Sequence, residues 1–516
     1  MEEHTSAAKP SRFERFLKGT ENLGNKIPHP MLLFIWLAII VIVASYICSI
    51  FGVSDVNPAT GETVAVYNLL SLDGLVMMIT KAVNNFITLP ALGMVLVCMM
   101  GVGLCDHSGL FYAALKGFAD YSKGSDTMII AVFSFISIMA GCAGGAGFVV
   151  MPALGAMIWM SMKKNPLSGM FVAYSCVSGG YASSLIITAW DVVNASFTTA
   201  AAQLIDPNIS LSPAINWYFS AVSVPILTVA SVVLTIKVLE PRMEKYDPAY
   251  SDLEEEDTVS LPSAQEKKAL KMAGLGLLIY TAIVVLLVVT GVLCDPKTGS
   301  AIATDAPLMK GITVFIALMF AVPGTVFGMV SGKFQGVPDI AKALEKTMAG
   351  MGGYIALMFF IAQFLNYFNW SNLGIILAIK GANLLKVSGF PIWMVLVLFM
   401  LMCMVLNLFI GSASTKWAIL ASVFVPMFMV LGFHPGLIQM AYRIGDAVTN
   451  PICAIDAYFV MLLALAQRYD RRCGVGTLLA NMMPFALTYG ALMMIQLLLW
   501  YFLKIPMGPN APIMLS

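Results

Sequence analysis

Residues 441–456 read AYRIGDAVTNPICAID and lie between two apolar stretches. Arg443 and Asp446 are three apart, hence on one face of a helix. A charge at bilayer depth costs on the order of 3 kcal/mol and is retained where it handles an ion or a substrate. A guanidinium there can anchor an anion, and a carboxylate can take up and release a proton. Thr449, Asn450 and Pro451 follow, and Gly445 and Pro451 weaken the helix, so the stretch is expected to unwind and offer its carbonyls to a cation. The bland alternative is a neutral structural pair between Arg443 and Asp446. Asp191, in SSLIITAWDVV (183–193), is the counterpart acid in the first half of the chain, or else a surface acid just past the membrane edge. Ser414 and Trp417 lie three apart beside a small-residue turn. The indole can stack on an aromatic solute, or it can belong to an interfacial tryptophan belt.

The elements that carry these residues are transmembrane helices. The 516-residue chain is 59% hydrophobic and 11% charged, with mean hydropathy +0.86. Soluble domains carry about 25% charged residues. Residues 30–51 carry no charge, and 214–236, 272–294, 311–332, 387–415 and 477–503 read similarly. Each is long enough for the roughly 20 residues of a spanning helix.

A net charge of +1 gives no support to nucleic-acid binding. The nine cysteines sit scattered in apolar stretches without a CxxC, and the four histidines form no ligand set, so neither a metal centre nor a cofactor is expected. HExxH, GxSxG and GxxxxGK[ST] are missing from the sequence, which speaks against an enzyme or an ATP-driven pump. Coupling then falls to an ion gradient, of H+ or Na+. A membrane enzyme pairing Asp191 with Asp446 would need a nucleophile or metal ligands nearby. A passive channel would need a continuous polar face, and the polar residues are isolated instead.

Charge sets the expected topology. Residues 1–28 carry Lys9, Arg12, Arg15, Lys18 and Lys26 and lack an apolar signal region, so this segment is placed in the cytoplasm without a cleavable leader. Loop 52–73 has acids and no Lys or Arg, and lies outside. Lys163 and Lys164, the linker 241–268, and Arg468, Arg471 and Arg472 lie inside. Lys380 and Lys386 fall in a stretch assigned outside, a mild violation of the rule. The expected architecture is an all-α polytopic membrane protein of about nine transmembrane helices plus two re-entrant hairpins. The first half spans 29–240, with a hairpin at about 126–162. The second spans 269–516, with a hairpin at about 390–432.

The halves share an order of features. In the first, GCAGGAG (141–147) is followed by FVVMPALGAMIW, Asn165-Pro166 and an interrupted helix. In the second, GSAST (411–415) is followed by an apolar arm, His434-Pro435 and the 441–456 segment. Paired broken helices of this kind point to an inverted-repeat secondary transporter with its site at the breaks. Gly144, Gly145, Gly411 and Ser412 would form the hairpin tips, where small residues let backbone approach a ligand. Small-residue helix packing is the alternative reading of the glycines.

The motifs GNKIPHPMLLFI (24–35), NPATGETVAVYNLLS (57–71), QFLNYFNWSNLG (363–374), FVPMFMVLGFHP (424–435), YRIGDAVTN (442–450) and GVGTLLANMMPFAL (474–487) resemble the AbgT family of p-aminobenzoyl-glutamate transporters over Gly24 to Pro509. The resemblance implies a homodimer in the bacterial inner membrane, each protomer with nine spans and two re-entrant hairpins. It implies ion-driven movement of p-aminobenzoyl-glutamate or efflux of sulfonamide-like antimetabolites, with another small dicarboxylate or peptide-like anion as the runner-up. It places substrate binding on Ser414, Trp417, Arg443 and Asp446, and ion coupling on Asp191 and Asp446; Asn450, in the stretch expected to unwind, is added to the substrate-binding set. Arg443 would meet carboxylates and Trp417 would stack on the benzoyl ring. The chain departs from the family at Ala143-Gly144-Gly145, where Ser-Ser-Asp is usual, and at Ser184, Ser422 and Ala454.

Overall fold

A computed structural model describes residues 30–56, 63–117, 125–143, 145–251, 262–303, 305–410, 412–454 and 456–515. The N-terminal segment, residues 252–261 of the linker, Gly144 and Gly411 lie outside the described residues. The rest is almost entirely helical, with one short antiparallel pair, β1 (Ser54–Val56) and β2 (Thr63–Ala65). The longer helices run as α1 (Pro30–Ile50), α2 (Leu72–Ile87), α3 (Pro90–Ser108), α4 (Leu110–Gly117), α5 (Asp126–Met139), α6 (Gly145–Ser161), α7 (Pro166–Gly179), α8 (Ala189–Ala202) and α9 (Trp217–Leu234). The second half holds α10 (Ala264–Val289), α11 (Ile312–Ser331), α12 (Val337–Gly350), α13 (Gly352–Trp370), α14 (Leu373–Val387), α15 (Ile392–Asn407), α16 (Ala413–Val430), α17 (Pro435–Thr449), α18 (Ala457–Tyr469) and α19 (Val475–Leu503).

Among the described residues seven helices are long and apolar enough to cross a membrane, or eight if α12 and α13, bent by 44°, form one span. The apolar run 387–415 is not one helix, in keeping with the turn expected from its small residues. Gly389 and Pro391 delay α15, and the chain leaves helical geometry after Asn407 before Ser412 caps α16. In the first half, α5 and α6 are joined through a 3-10 turn at Ala140–Ala143. Helices α5 and α6 have 14 and 17 residues, about 21 and 25 Å at 1.5 Å per residue. Both fall short of a hydrocarbon core of about 30 Å.

Helices α7 and α17 are buried along their whole lengths. Both start with the same device. The Asn165 side chain caps α7 with Pro166 next, and the His434 side chain caps α17 with Pro435 next. A proline at the first helical position loses no hydrogen bond, because that N–H has no intrahelical partner. Both helices then break. After Gly179 the chain is non-helical until Thr188 caps α8, and after Thr449 a 3-10 turn leads to Asp456, which caps α18.

The two broken helices run in opposite senses. Asn165, at the start of α7, donates to the Glu244 carbonyl, and Lys164 bridges Glu240 at 2.9 Å and Asp126 at 3.0 Å. Burial disfavours the Lys164 charge, but Glu240 and Asp126 outweigh it and raise its pKa above the ordinary lysine value. The end of α18 reaches this same end of the molecule, where Arg471 binds the Tyr250 carbonyl through its backbone N–H. There the Arg472 guanidinium holds the Asp470 carboxyl below the usual carboxylate range. Helix α17 starts at the far end, where His434 N–H donates to the Ile513 carbonyl and Asn216 donates to the Gly436 carbonyl. The basic turns assigned to one side by charge thus gather together. Lys380 is also accounted for: its ammonium lies 3.3 Å from Asp55, in the acidic loop it shares a side with.

Candidate transport site

The breaks in α7–α8 and α17–α18 meet near the middle of the molecule, and the charged residues singled out from sequence converge there. Arg443 and Asp446 do share a face of α17, but they do not pair with each other. Arg443 reaches Asp191 Oδ1, on the first turn of α8, at 2.5 Å and donates to the carbonyl of Tyr181, in the first break, at 2.5 Å. The second carboxylate oxygen of Asp191 accepts from the Thr188 N–H and hydroxyl, each at 2.7 Å, so the acid is also the reciprocal cap of α8. Asp191 is 4% exposed and Arg443 1%. The surface-acid reading of Asp191 does not fit that burial.

Asp446 pairs with Lys416, on the first turn of α16, at 2.5 Å. Asn407, the last residue of α15, places its amide oxygen on the same ammonium. Its amide nitrogen faces the Asp446 carbonyl at 3.0 Å, the Thr449 hydroxyl at 2.9 Å and the Asn450 side-chain oxygen at 2.7 Å. The two arms on either side of the second turn therefore grip the end of α17. Gly445 does not interrupt α17; it lets α15 approach, since a Cβ there would stand 2.8 Å from the Met400 carbonyl oxygen.

Trp417 is fully buried, which excludes the interfacial belt. Its ring stacks on Tyr442 at 4.6 Å between centroids. Its indole N–H donates to the Thr198 hydroxyl at 2.9 Å, which reaches Gln439 at 2.5 Å, and Gln439 donates to Asn216 at 2.6 Å. In this conformation Tyr442 covers one face of the ring, and no part of Trp417 is exposed. Tyr442 sends its hydroxyl to the Ala413 carbonyl at 2.5 Å and toward Asp446 at 3.2 Å. Ser412 caps α16 through its side chain, and Ser414 beside it is partly exposed.

The first turn packs on the first break. A Cβ on Gly180 would lie 2.2 Å from the Ile138 carbonyl oxygen and 3.2 Å from Gly141. Gly145 faces Tyr458, whose hydroxyl would be 2.6 Å from an added Cβ. Ser184 is buried and accepts from the Ile186 N–H; Ser422 is buried and donates to the Ile419 carbonyl; Ala454 is partly buried. No group of His, Cys, Asp and Glu able to hold a metal ion occurs among the described residues.

Sequence reasoning missed Lys416, Asn407, Tyr181, Tyr442, Thr198 and Gln439. A signal for Lys416 was present: it is a lone charge beside Trp417 in an apolar arm, and the argument that singled out Arg443 applies to it equally.

The sequence matches the AbgT putative transporter family over residues 15–515. The chain belongs to the AbgT family. Among its AbgT relatives is the p-aminobenzoyl-glutamate transport protein of Escherichia coli (strain K12), 33% identical over 494 residues and 95% of each chain. Two solved structures share the fold at 35% identity. The Alcanivorax borkumensis YdaH transporter has a TM-score of 0.87, covering 93% of this chain and 100% of its own. Neisseria gonorrhoeae MtrF, described among a class of antimetabolite efflux pumps, has a TM-score of 0.88, covering 96% and 100%. The AbgT chain described here is accordingly a multi-pass membrane transporter and not an enzyme.

Proposed function

We propose that this transporter moves p-aminobenzoyl-glutamate, or a related solute carrying an aromatic ring and carboxylates, across the bacterial inner membrane under an H+ or Na+ gradient. The E. coli relative supplies the candidate solute and MtrF the alternative of antimetabolite export. The observation that carries the reading is the Arg443 guanidinium, 1% exposed, whose Nε–H has no acceptor among the described residues. A buried donor without a partner costs about 1–3 kcal/mol, and in a site it marks a place for a ligand atom.

Arg443 binds the solute carboxylate bidentately, a geometry for which a guanidinium is suited. A proton taken up by Asp191 neutralises the acid that otherwise competes for Arg443, so protonation and anion binding favour each other. Asp446, Asn450 and Ser414 line the approach at the second break, and Trp417 takes the ring when Tyr442 moves aside. The site charges are all buried, so loading requires the gripping arms to shift, which is alternating access around a fixed site. Helices α5–α6 and α15–α16 act as re-entrant hairpins, which with the remaining helices completes nine spans, and two protomers assemble as a dimer. The supporting features are the opposite senses of the two broken helices and the short lengths of α5 and α6.

Proteoliposomes with radiolabelled p-aminobenzoyl-glutamate, given proton and sodium gradients separately, test the proposal. Accumulation under one gradient is expected. No accumulation under either, by folded protein, would assign the scaffold to another solute.

A further inference from the structure

The unwound end of α17 is the place where free oxygens and the negative end of a helix dipole favour a cation. A cation is already there. The Lys416 ammonium sits on Asp446 at 2.5 Å and on the Asn407 amide oxygen, with Lys416 2% and Asp446 1% exposed. The neighbouring oxygens, those of the Asp446 carbonyl, Thr449 and Asn450, face the Asn407 amide nitrogen. Lys416 gains nothing from its own helix, since the first turn of α16 is the positive end of that dipole. Its position is explained by the oxygens opposite.

We infer that Lys416 is a tethered cation that permanently fills an oxygen-lined monovalent-cation position at Asp446 and Asn407, so that the second half-site binds no sodium in this transporter. The inference deepens the proposed function, resting on its reading of the two breaks as the transport site, and narrows which ion can act there. A carboxylate and an amide oxygen at the frayed end of a helix form a hard-oxygen set that suits Na+. An ammonium donates to the same oxygens without having to dehydrate afresh in each cycle. Removing the lysine by Lys416→Met leaves the acid and amide in place with a vacancy of about the size of one ion.

The test is thermal unfolding of the purified full-length protein in detergent, without solute, in sodium, potassium or choline chloride at equal ionic strength. Ligand that binds only the folded state raises the unfolding temperature saturably. The wild type and D446N are expected to respond identically to the three salts. K416M is expected to be less stable in choline and to recover in sodium along a saturable curve beyond any wild-type response. The double variant K416M/D446N, which lacks both charges, is expected to fold and to lose that added sodium dependence. A saturable sodium-specific shift in the wild type that D446N abolishes would overturn the inference, and does so even if K416M fails to fold. A folded K416M without an added sodium response, or an added response persisting in K416M/D446N, would overturn it too. Because binding is read without solute, the result is independent of whether p-aminobenzoyl-glutamate is transported.

Discussion

Replacing Asp191 and Arg443 singly and together separates a structural ion pair from a transport role. The pair is 2.5 Å apart with both partners nearly fully buried. With charge centres about 4 Å apart and an effective dielectric constant of about 20, the attraction is about 4 kcal/mol. Removing one partner leaves the other charge buried and costs about 3–5 kcal/mol. Asp191→Asn keeps an oxygen facing Thr188, so most of the α8 cap, worth about 1 kcal/mol, survives. Its loss is then almost purely that of the charge opposite Arg443. Arg443→Met leaves Asp191 uncompensated but keeps a chain of similar length. The double variant D191N/R443M carries neither charge and is expected to unfold within about 2 kcal/mol of the wild type, because a buried pair exchanged for neutral groups is often close to neutral. The coupling energy is therefore about 4 kcal/mol or more, measured by reversible denaturation in detergent micelles. The double variant is also expected to be inactive in uptake, since the anion anchor is gone. Additive single effects, with coupling below about 0.5 kcal/mol, would show that the two side chains do not meet. Uptake by the double variant near the wild-type rate would remove Arg443 from the site.

Gly180→Ala forces a methyl to within 2.2 Å of the Ile138 carbonyl oxygen, and overpacking of this kind costs about 1–3 kcal/mol; folded protein with a lower unfolding temperature and reduced uptake is expected, and an unchanged unfolding temperature would mean the first turn does not pack on the break. Trp417→Phe removes the indole donor to Thr198 and Asn194 but keeps the stack on Tyr442, so a loss of about 1 kcal/mol in denaturant unfolding is expected, against 3 kcal/mol or more, on the order of a large-to-small core change, for Trp417→Ala. Equal losses for the two would show that the stack contributes nothing.

The positions of the breaks were legible because they rest on local chemistry. Asn165-Pro166 and His434-Pro435 are starts that any helix would use, and Asn450-Pro451 ends one. The site residues Asp191, Arg443 and Asp446 were legible because charge in an apolar run is costly wherever it falls. Their partners were not. Arg443 meets an acid 252 positions away in preference to the one three positions along its own helix, and no periodicity encodes such a choice. The same holds for Trp417, whose ring partner Tyr442 comes from another helix. The turn between α15 and α16 was legible from the small residues of GSAST, although the apolar composition of 387–415 alone does not mark it. Lys416 escaped because the turn was read for its small residues.

Solute counterflow tests most directly whether the site opens to one side at a time. Proteoliposomes are preloaded with unlabelled p-aminobenzoyl-glutamate and diluted into a trace of labelled solute, with no ion gradient imposed. A transient accumulation of label above equilibrium, saturable in the solute and abolished by Arg443→Ala, is expected. Monotonic, non-saturable equilibration, the same with and without preloading, would contradict it and describe a pore.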